Sequence, residues 1–313
     1  MLAFLVRRLL FAVGTLVLTA FFAYGLIRLL RPELYPDEAV VSGTVAEVER
    51  ALLHLELGGS CMFAGCPPLR RMWLDGIWAD LFLLAGGVAV ALVLGVAGGL
   101  WCATRPRSRA SRVLEAVAMF LYCTPVYVVG FTSLLLFAPP FGLLQLPWFF
   151  EPHSYAPPLE DPWDFVRSML LPWLVVGAPL AAAILRLTLA LLVDTMGEDY
   201  VRTARAKGLD RRKVVGHAAP ATRVSVASLF GASAPFMVTN MVLVEYVYSV
   251  PGFFRHTKRA LGQAPGWPPT IDFPTLQALA LWASVLIVAL SLLADLAIVR
   301  LDPRVRAGGR TIG

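Results

Sequence analysis

The sequence predicts an all-α integral membrane protein with six spanning helices. Composition is the first reason. The 313 residues are 58% hydrophobic and 15% charged, with a mean hydropathy of +0.70. A soluble domain carries roughly 45–50% apolar and about 25% charged residues. The second reason is recurrence: uncharged runs long enough to cross a bilayer, which takes about 20 apolar residues in a helix, return along the chain. The third is the placement of basic residues, which gives those runs a consistent orientation.

Six spans are predicted, at 9–30, 80–104, 113–138, 169–194, 223–248 and 274–299. The first holds Leu9 to Ile27 without a charge, the second Leu81 to Thr104, and the fifth Val224 to Val244. The first is read as a retained helix rather than a cleaved signal, because its apolar run exceeds the roughly 7–15 residues of a signal core. The third lies in an uncharged stretch from Ala116 to Phe150, too long for one helix. Pro139, Pro140 and Pro147 are expected to end it and open an external loop.

Arg and Lys gather in short cytoplasmic loops. With the N-terminus inside, seventeen basic residues fall on the cytoplasmic side and nine outside, while Arg186 lies within a span. Arg7 and Arg8 flank the first span, Arg105 to Arg112 follow the second, and Arg202 to Arg223 occupy the loop after the fourth. Both termini are therefore expected in the cytoplasm. The net charge of +6 reports this topology, and no nucleic-acid partner is expected.

The expected organisation is an N-terminal segment and first helix at 1–30, an external region at 31–79, and a five-helix core at 80–313. That core includes a cytoplasmic loop at 195–222. Two further external loops, 139–168 and 249–273, are rich in Pro and aromatics, which suits either an interfacial belt or a docking surface. Cys61 and Cys66 lie in the first external region. They are candidates for a disulfide, which is chemically allowed outside the cytoplasm; a metal pair lacks further ligands nearby. Cys102 and Cys123 fall within spans and are read as packing residues.

The loop 195–222 differs in kind. Glu198 and Asp199 precede a helix-competent run, and Arg202, Arg205 and Lys207 stand toward its end, an arrangement that complements the helix dipole. Gly208 is placed for a left-handed cap, and Asp210 for capping a second short helix. Tyr200, Ala204 and Lys207 share a face by i, i+4, i+7 spacing. The small Ala204 and Ala206 are expected to let another surface approach. Taken alone, the loop fits either a partner-binding helix or a basic segment held near anionic lipid.

Residues 198–209, Glu-Asp-Tyr-Val-Arg-Thr-Ala-Arg-Ala-Lys-Gly-Leu, closely resemble the EAA-type cytoplasmic loop of ABC-importer permeases of the dipeptide/oligopeptide/nickel branch. Arg186-Leu187-Thr188 resembles that branch's Arg-x-Thr-Arg run, with Leu189 at the second Arg. Glu245 followed by Tyr248-Ser249-Val250-Pro251-Gly252 is similar to its Glu…Leu-Pro-Gly element, with Phe254 where Gly is usual. Leu301-Asp302-Pro303-Arg304-Val305-Arg306 looks like its closing Asp-Pro-Arg-x-Arg. The Pro-Gly-Asp-Pro usual after the first span is absent; Arg31-Pro32-Glu33-Leu34 stands there.

The resemblance implies a type I ABC importer permease fold in a bacterial cytoplasmic (inner) membrane. It implies a second homologous permease subunit, two ABC ATPase subunits and an external substrate-binding protein as partners. The coupling residues it implies are Glu198, Asp199, Tyr200, Arg202, Thr203, Ala204, Arg205, Lys207, Gly208 and Leu209. ATP and Mg are then expected in the partner ATPases, with no cofactor bound by this chain. In keeping with this, the chain has no Gly-Lys pair and so no phosphate-binding loop, and no His-Glu-x-x-His. Its four histidines are scattered, and neither catalytic nor metal residues are expected. Arg186 and Glu245, ionisable groups within spans, are candidates for a cavity role or a structural polar contact. The competing classes are an ion-gradient-driven carrier and a non-transporting scaffold.

Overall fold

The computed structural model describes residues 2–34, 39–60, 67–138, 143–144, 155–263 and 270–302. Among these the chain is helical, with one isolated antiparallel bridge between Gly59 and Pro68. The helices are α1 (Leu2–Leu30), α2 (Val40–Leu53), α3 (Leu69–Thr104), α4 (Arg109–Cys123), α5 (Val126–Phe137) and α6 (Pro162–Thr195). They continue with α7 (Asp199–Ala206), α8 (Arg211–Ala218), α9 (Arg223–Ala232), α10 (Ala234–Tyr248), α11 (Thr257–Ala260) and α12 (Phe273–Leu301).

Four helices, α1, α3, α6 and α12, are each long and apolar enough to cross a membrane, and two bent pairs bring the number to six if each pair is one span. The third span is thus not the single helix expected over 113–138. It breaks between α4 and α5 with a bend of 115°. The cause is Pro125, which drives Thr124 into extended backbone (φ −86°, ψ 130°) and cannot donate to the helix ladder. The fifth span is bent by 55° at Ser233, just ahead of Pro235. Pro139, Pro140 and Pro147 lie outside the described residues. The first external region, 31–79, contains α2 and the first three turns of α3.

The chain divides into two compact units. One comprises residues 1–80 and 251–292. In it α1 packs on α2 through Ala20, Tyr24, Val48 and Ala51, with Leu281 of α12. Arg28, buried, meets Glu47 with both carboxylate oxygens, at 3.3 Å from Nε and 3.1 Å from NH2. The remainder of α1 leaves Leu9, Leu10, Phe11, Leu18 and Phe22 exposed, as a lipid-facing helix does. Thr15 and Thr19 return their hydroxyls to carbonyls one turn earlier (2.8 and 2.9 Å), which gives both hydroxyls a partner in hydrocarbon.

The same unit holds a buried carboxylate clamp. Asp80 accepts the Phe253 backbone N–H at 2.9 Å and the Trp282 indole N–H at 2.6 Å. One turn before it, a methyl group at Gly76 would lie 2.5 Å from the Phe253 nitrogen, so only glycine admits the backbone there. Trp73 meets Trp282 edge-on at 5.3 Å. Residues 73, 76 and 80 of α3, spaced three and four apart, therefore form one face that meets the turn after Pro251 and Trp282 of α12.

The second unit comprises residues 81–250 and 293–313, and α6 runs through its core. Asp161 caps α6 by accepting the Trp163 and Asp164 N–H groups (2.9 and 3.0 Å), with Pro162 in the first turn. Against it lies α3, brought close by glycines. A methyl group would sit 2.6 Å from Val176 Cγ1 at Gly87, 2.7 Å from Ile184 Cβ at Gly95, and 2.7 Å from Thr188 Cβ at Gly99. On the other helix, a methyl at Gly177 would sit 2.5 Å from the Gly87 carbonyl oxygen. The Gly95–Gly99 pair, a common small-residue motif, thus meets α6. Packing at this distance is lost when bulk is added, and overpacking typically costs ~1–3 kcal/mol. Gly99→Leu should lower the thermal unfolding midpoint of the solubilised protein, while Gly14→Leu, where the space beside α1 is open, should leave it unchanged.

Candidate functional site

Residues 194–218 form a helical elbow. After α6, Gly197 N–H donates to Asp194 O (3.0 Å) and Glu198 N–H to Thr195 O (3.1 Å), which turns the chain into α7. Glu198 is the N-cap residue, Asp199 lies in the first turn and Arg205 in the last. Gly208 has a left-handed φ of +76°, which ends the helix at low steric cost. Asp210 caps α8, accepting the Lys213 N–H at 3.2 Å.

The elbow is seated on the ends of α3 and α6. Val201, Val214, Val215 and Ala218 bury themselves with Ala103 of α3 and Leu192 of α6, and Leu209 packs on their edge. Arg211 Nε donates to the Ala103 carbonyl at 2.9 Å, satisfying one of the orphan acceptors at the C-terminus of α3.

This seating corrects the expectation for Ala204. The row Tyr200, Ala204, Lys207 is split: Tyr200 and Lys207 are exposed, whereas Ala204 is buried with Val201 against the chain's own core. In a helix of eight residues the i, i+3 pair Val201 and Ala204 is the only apolar stripe, and it faces inward. The outward face consists of Asp199, Tyr200, Arg202, Thr203, Arg205, Ala206 and Lys207. Arg202 and Asp199 pair across this face at 3.7 Å, both well exposed; such a contact contributes little to stability. The face is free to meet a polar partner.

Arg186 and Glu245 are not brought together at one cavity. Arg186 is exposed and directs NH1 at Met119 Sδ, 3.2 Å away. It lines a groove of about 510 Å³ with Glu115, Tyr122, Leu187 and Leu229. Glu245 is fully buried in α10 and does not line this groove. Three residues on, α10 ends at Tyr248 with Ser249 in the left-handed region (φ 55°), and Val250 N–H reaches back to Glu245 O at 3.1 Å.

Cys61 and Cys66 lie outside the described residues; the backbone on either side is paired, Ser60 N–H donating to Pro67 O at 3.2 Å. Cys102 is a buried free thiol and Cys123 an exposed one. Among the described residues no group of three or more His, Cys, Asp or Glu side chains is placed to hold a metal. Sequence reasoning missed the Asp80 clamp. An acidic residue at the edge of an uncharged run reads as a span boundary, and its two partners lie 173 and 202 residues away.

His256, in the 3₁₀ turn after Gly252, is buried beside Phe253. Burial, then the charges of Arg255 and Arg259, push its pKa down to about 4. Arg255 Nε donates to His256 Nε2 at 3.4 Å, which requires the neutral ring. The unfolded imidazole titrates near 6.5, so between that pH and about 4 the unfolded state binds the extra proton. Stability is fully present above pH ~6.5 and declines as the pH falls toward 4, by an amount on the order of 2 kcal/mol. Thermal unfolding of the solubilised protein followed from pH 7 to pH 4 should show that decline, and His256→Gln should flatten it.

Comparison with known proteins places this geometry in a family. Residues 95–307 match the binding-protein-dependent transport system inner membrane component family. The chain is 26% identical over 325 residues to the probable peptide ABC transporter permease protein of Sinorhizobium fredii, covering 97% of this chain and 99% of that one. It is 28% identical over 242 residues to the oligopeptide transport system permease protein of Mycobacterium bovis, covering 74% and 70% respectively. The matched region takes in the glycine-lined helix pair from Gly95, the elbow and the last span. The chain therefore belongs to the binding-protein-dependent transport system inner membrane components, the multi-pass permease subunits of ABC importers with the type I fold.

Proposed function

We propose that this subunit forms half of a translocation pathway for peptides or a related small solute, and that α7 is its coupling helix. Glu198, Asp199, Tyr200, Arg202, Thr203, Arg205, Lys207 and Gly208 present the surface that an ATPase meets, while Ala204 and Leu209 seat the elbow from below. A second, homologous permease supplies the other half of the pathway. Two cytoplasmic ABC ATPases bind ATP and Mg and drive the cycle, and an external binding protein delivers the solute. Both termini face the cytoplasm in this reading, which the excess of basic residues on that side supports. The peptide assignment draws on the names of the relatives.

The observation that carries the proposal is the two-sidedness of α7. Its apolar side is buried on the ends of α3 and α6, and its polar side is exposed. A push on the polar face is thereby delivered to the ends of two helices of the permease core. Such a step is a rigid-body switch biased by nucleotide state in the partner. Arg186, exposed in a groove, is assigned to the solute pathway, and buried Glu245 to holding α10 in place.

The proposal predicts a separation of effects. Arg202→Glu combined with Arg205→Glu changes only exposed side chains, so the protein should reach the membrane at its normal level. Binding-protein-stimulated ATPase activity of the purified complex should fall by about tenfold or more, equivalent to ~1.4 kcal/mol of coupling. Uptake that survives ATP depletion and stops when the ion gradient is collapsed would instead make the chain a gradient-driven carrier. Recruitment of a soluble protein without solute flux would make it a scaffold.

A further inference from the structure

The unit built from residues 1–80 and 251–292 contains a second polar cavity, of about 180 Å³. Tyr24 of α1, Glu47 and Arg50 of α2, Glu56 and Gly58 of the following loop, and Gln277 of α12 line it. The walls are held in place. Glu47 is fixed by the two contacts from Arg28. The loop turns through left-handed residues at Leu55 (φ 54°) and Gly58 (φ 80°), and Glu56 N–H donates to Arg50 O at 3.1 Å. Beyond the loop, the Ser60 hydroxyl donates to the buried Asp272 carboxylate. Thr275 Oγ1 donates to the same carboxylate at 2.6 Å, which ties the loop to the start of α12.

Two features of this cavity call for an occupant. Gln277 is 4% exposed, and its Nε2 donates to no group among the described residues. A buried amide donor left without an acceptor costs ~1–3 kcal/mol. Independently, Arg50 and Glu56 carry opposite charges into the same cavity, yet no ion pair joins them among the described residues. Among the described residues the only side-chain hydrogen bond of Arg50 runs from Nε to Ala46 O (3.2 Å), which leaves the other guanidinium nitrogens for a ligand. Glu47 is already balanced by Arg28. The lining therefore presents one cation, one anion and one amide donor, within a volume suited to a molecule of amino-acid size.

We infer that this cavity binds a small zwitterion, its anionic end held by Arg50 and Gln277 and its cationic end by Glu56. Two sources share that chemistry: a free amino acid or short peptide, and the ethanolamine headgroup of a phospholipid lying beside the exposed apolar face of α1. The site is separate from the elbow and from the Arg186 groove, and its occupation needs no ATP.

The test uses the assembled complex in phosphatidylglycerol nanodiscs without nucleotide. Binding of glycylglycine and of phosphoethanolamine is followed by calorimetry, with acetate and ethylammonium as singly charged probes. Saturable binding of the zwitterions is expected. It should weaken about tenfold in Arg50→Ala, Glu56→Ala and Gln277→Leu, and remain unchanged in Glu49→Ala, an exposed α2 residue outside the cavity. Because Arg50 and Glu56 are exposed at the rim, those variants should unfold at the same temperature as the parent, which keeps loss of binding distinct from loss of fold. Phosphatidylethanolamine in the nanodisc that blocks the soluble probes identifies the lipid as the source; soluble binding that persists identifies a solute. Equal binding of acetate or ethylammonium, or zwitterion binding unaffected by the three cavity variants, overturns the inference. Failure of ATPase coupling in the same preparation bears on the proposed function alone.

Discussion

The close approach of α3 to α6 is the constraint on which the permease core depends. In lipid there is no hydrophobic force to press helices together, so contact rests on fit and on small residues that let backbones meet. Here Gly87, Gly95 and Gly99 on one helix and Gly177 on the other supply that fit. α6 contributes more buried residues than any other helix of its unit, and it tolerates Pro172 and Pro179 in its interior because both are packed. The pair is closely packed along its length, and what sits at its end takes its position from both helices.

What it carries is the elbow. Ala103 closes α3 and Leu192 lies in the last turn of α6, and these two residues form the seat for Val201, Val214, Val215 and Ala218. The apolar contact seats α7 through Val201, and the Arg211–Ala103 hydrogen bond ties the start of α8 to the end of α3. A short charged helix has little stability of its own; tertiary seating on the ends of α3 and α6 holds it in place. The same logic holds in the other unit at smaller scale. Asp80, on a helix uncharged for the next twenty-four residues, gathers a backbone N–H and an indole N–H from distant segments. Buried polar groups of this kind are fully engaged or costly, and here they hold the turn that follows α10.

Much of this was legible in the sequence, for reasons that differ between elements. Spans announce themselves through the absence of charge, and α6 and α12 lie where uncharged runs required them. The bounds of α7 were readable because Glu198, Asp199 and Gly208 act locally: a cap or a left-handed turn depends on a few neighbouring residues. That Ala204 is buried was not, because burial of a residue in so short a helix depends on segments that only folding brings against it. The break at Pro125 was masked by its setting. A Thr-Pro pair inside thirty-five uncharged residues satisfies the composition test for a span, while the 115° bend it causes concerns backbone geometry alone. Helix α2 was hidden by mixed charge, its amphipathic face having meaning only once α1 lies against it. The zwitterion cavity draws on four separate segments, so no local motif marks it.

The central claim is that the polar face of α7 meets a nucleotide-binding subunit while its apolar face stays on the core. Photo-cross-linking in intact cells tests it most directly, with a photoreactive residue at Thr203 on the outward face and, as the counterpart, at Glu49 on α2. The account predicts a covalent adduct between position 203 and an ATPase subunit, and none from position 49. An adduct from position 49, or a well-expressed protein whose position 203 captures no ATPase, would contradict it.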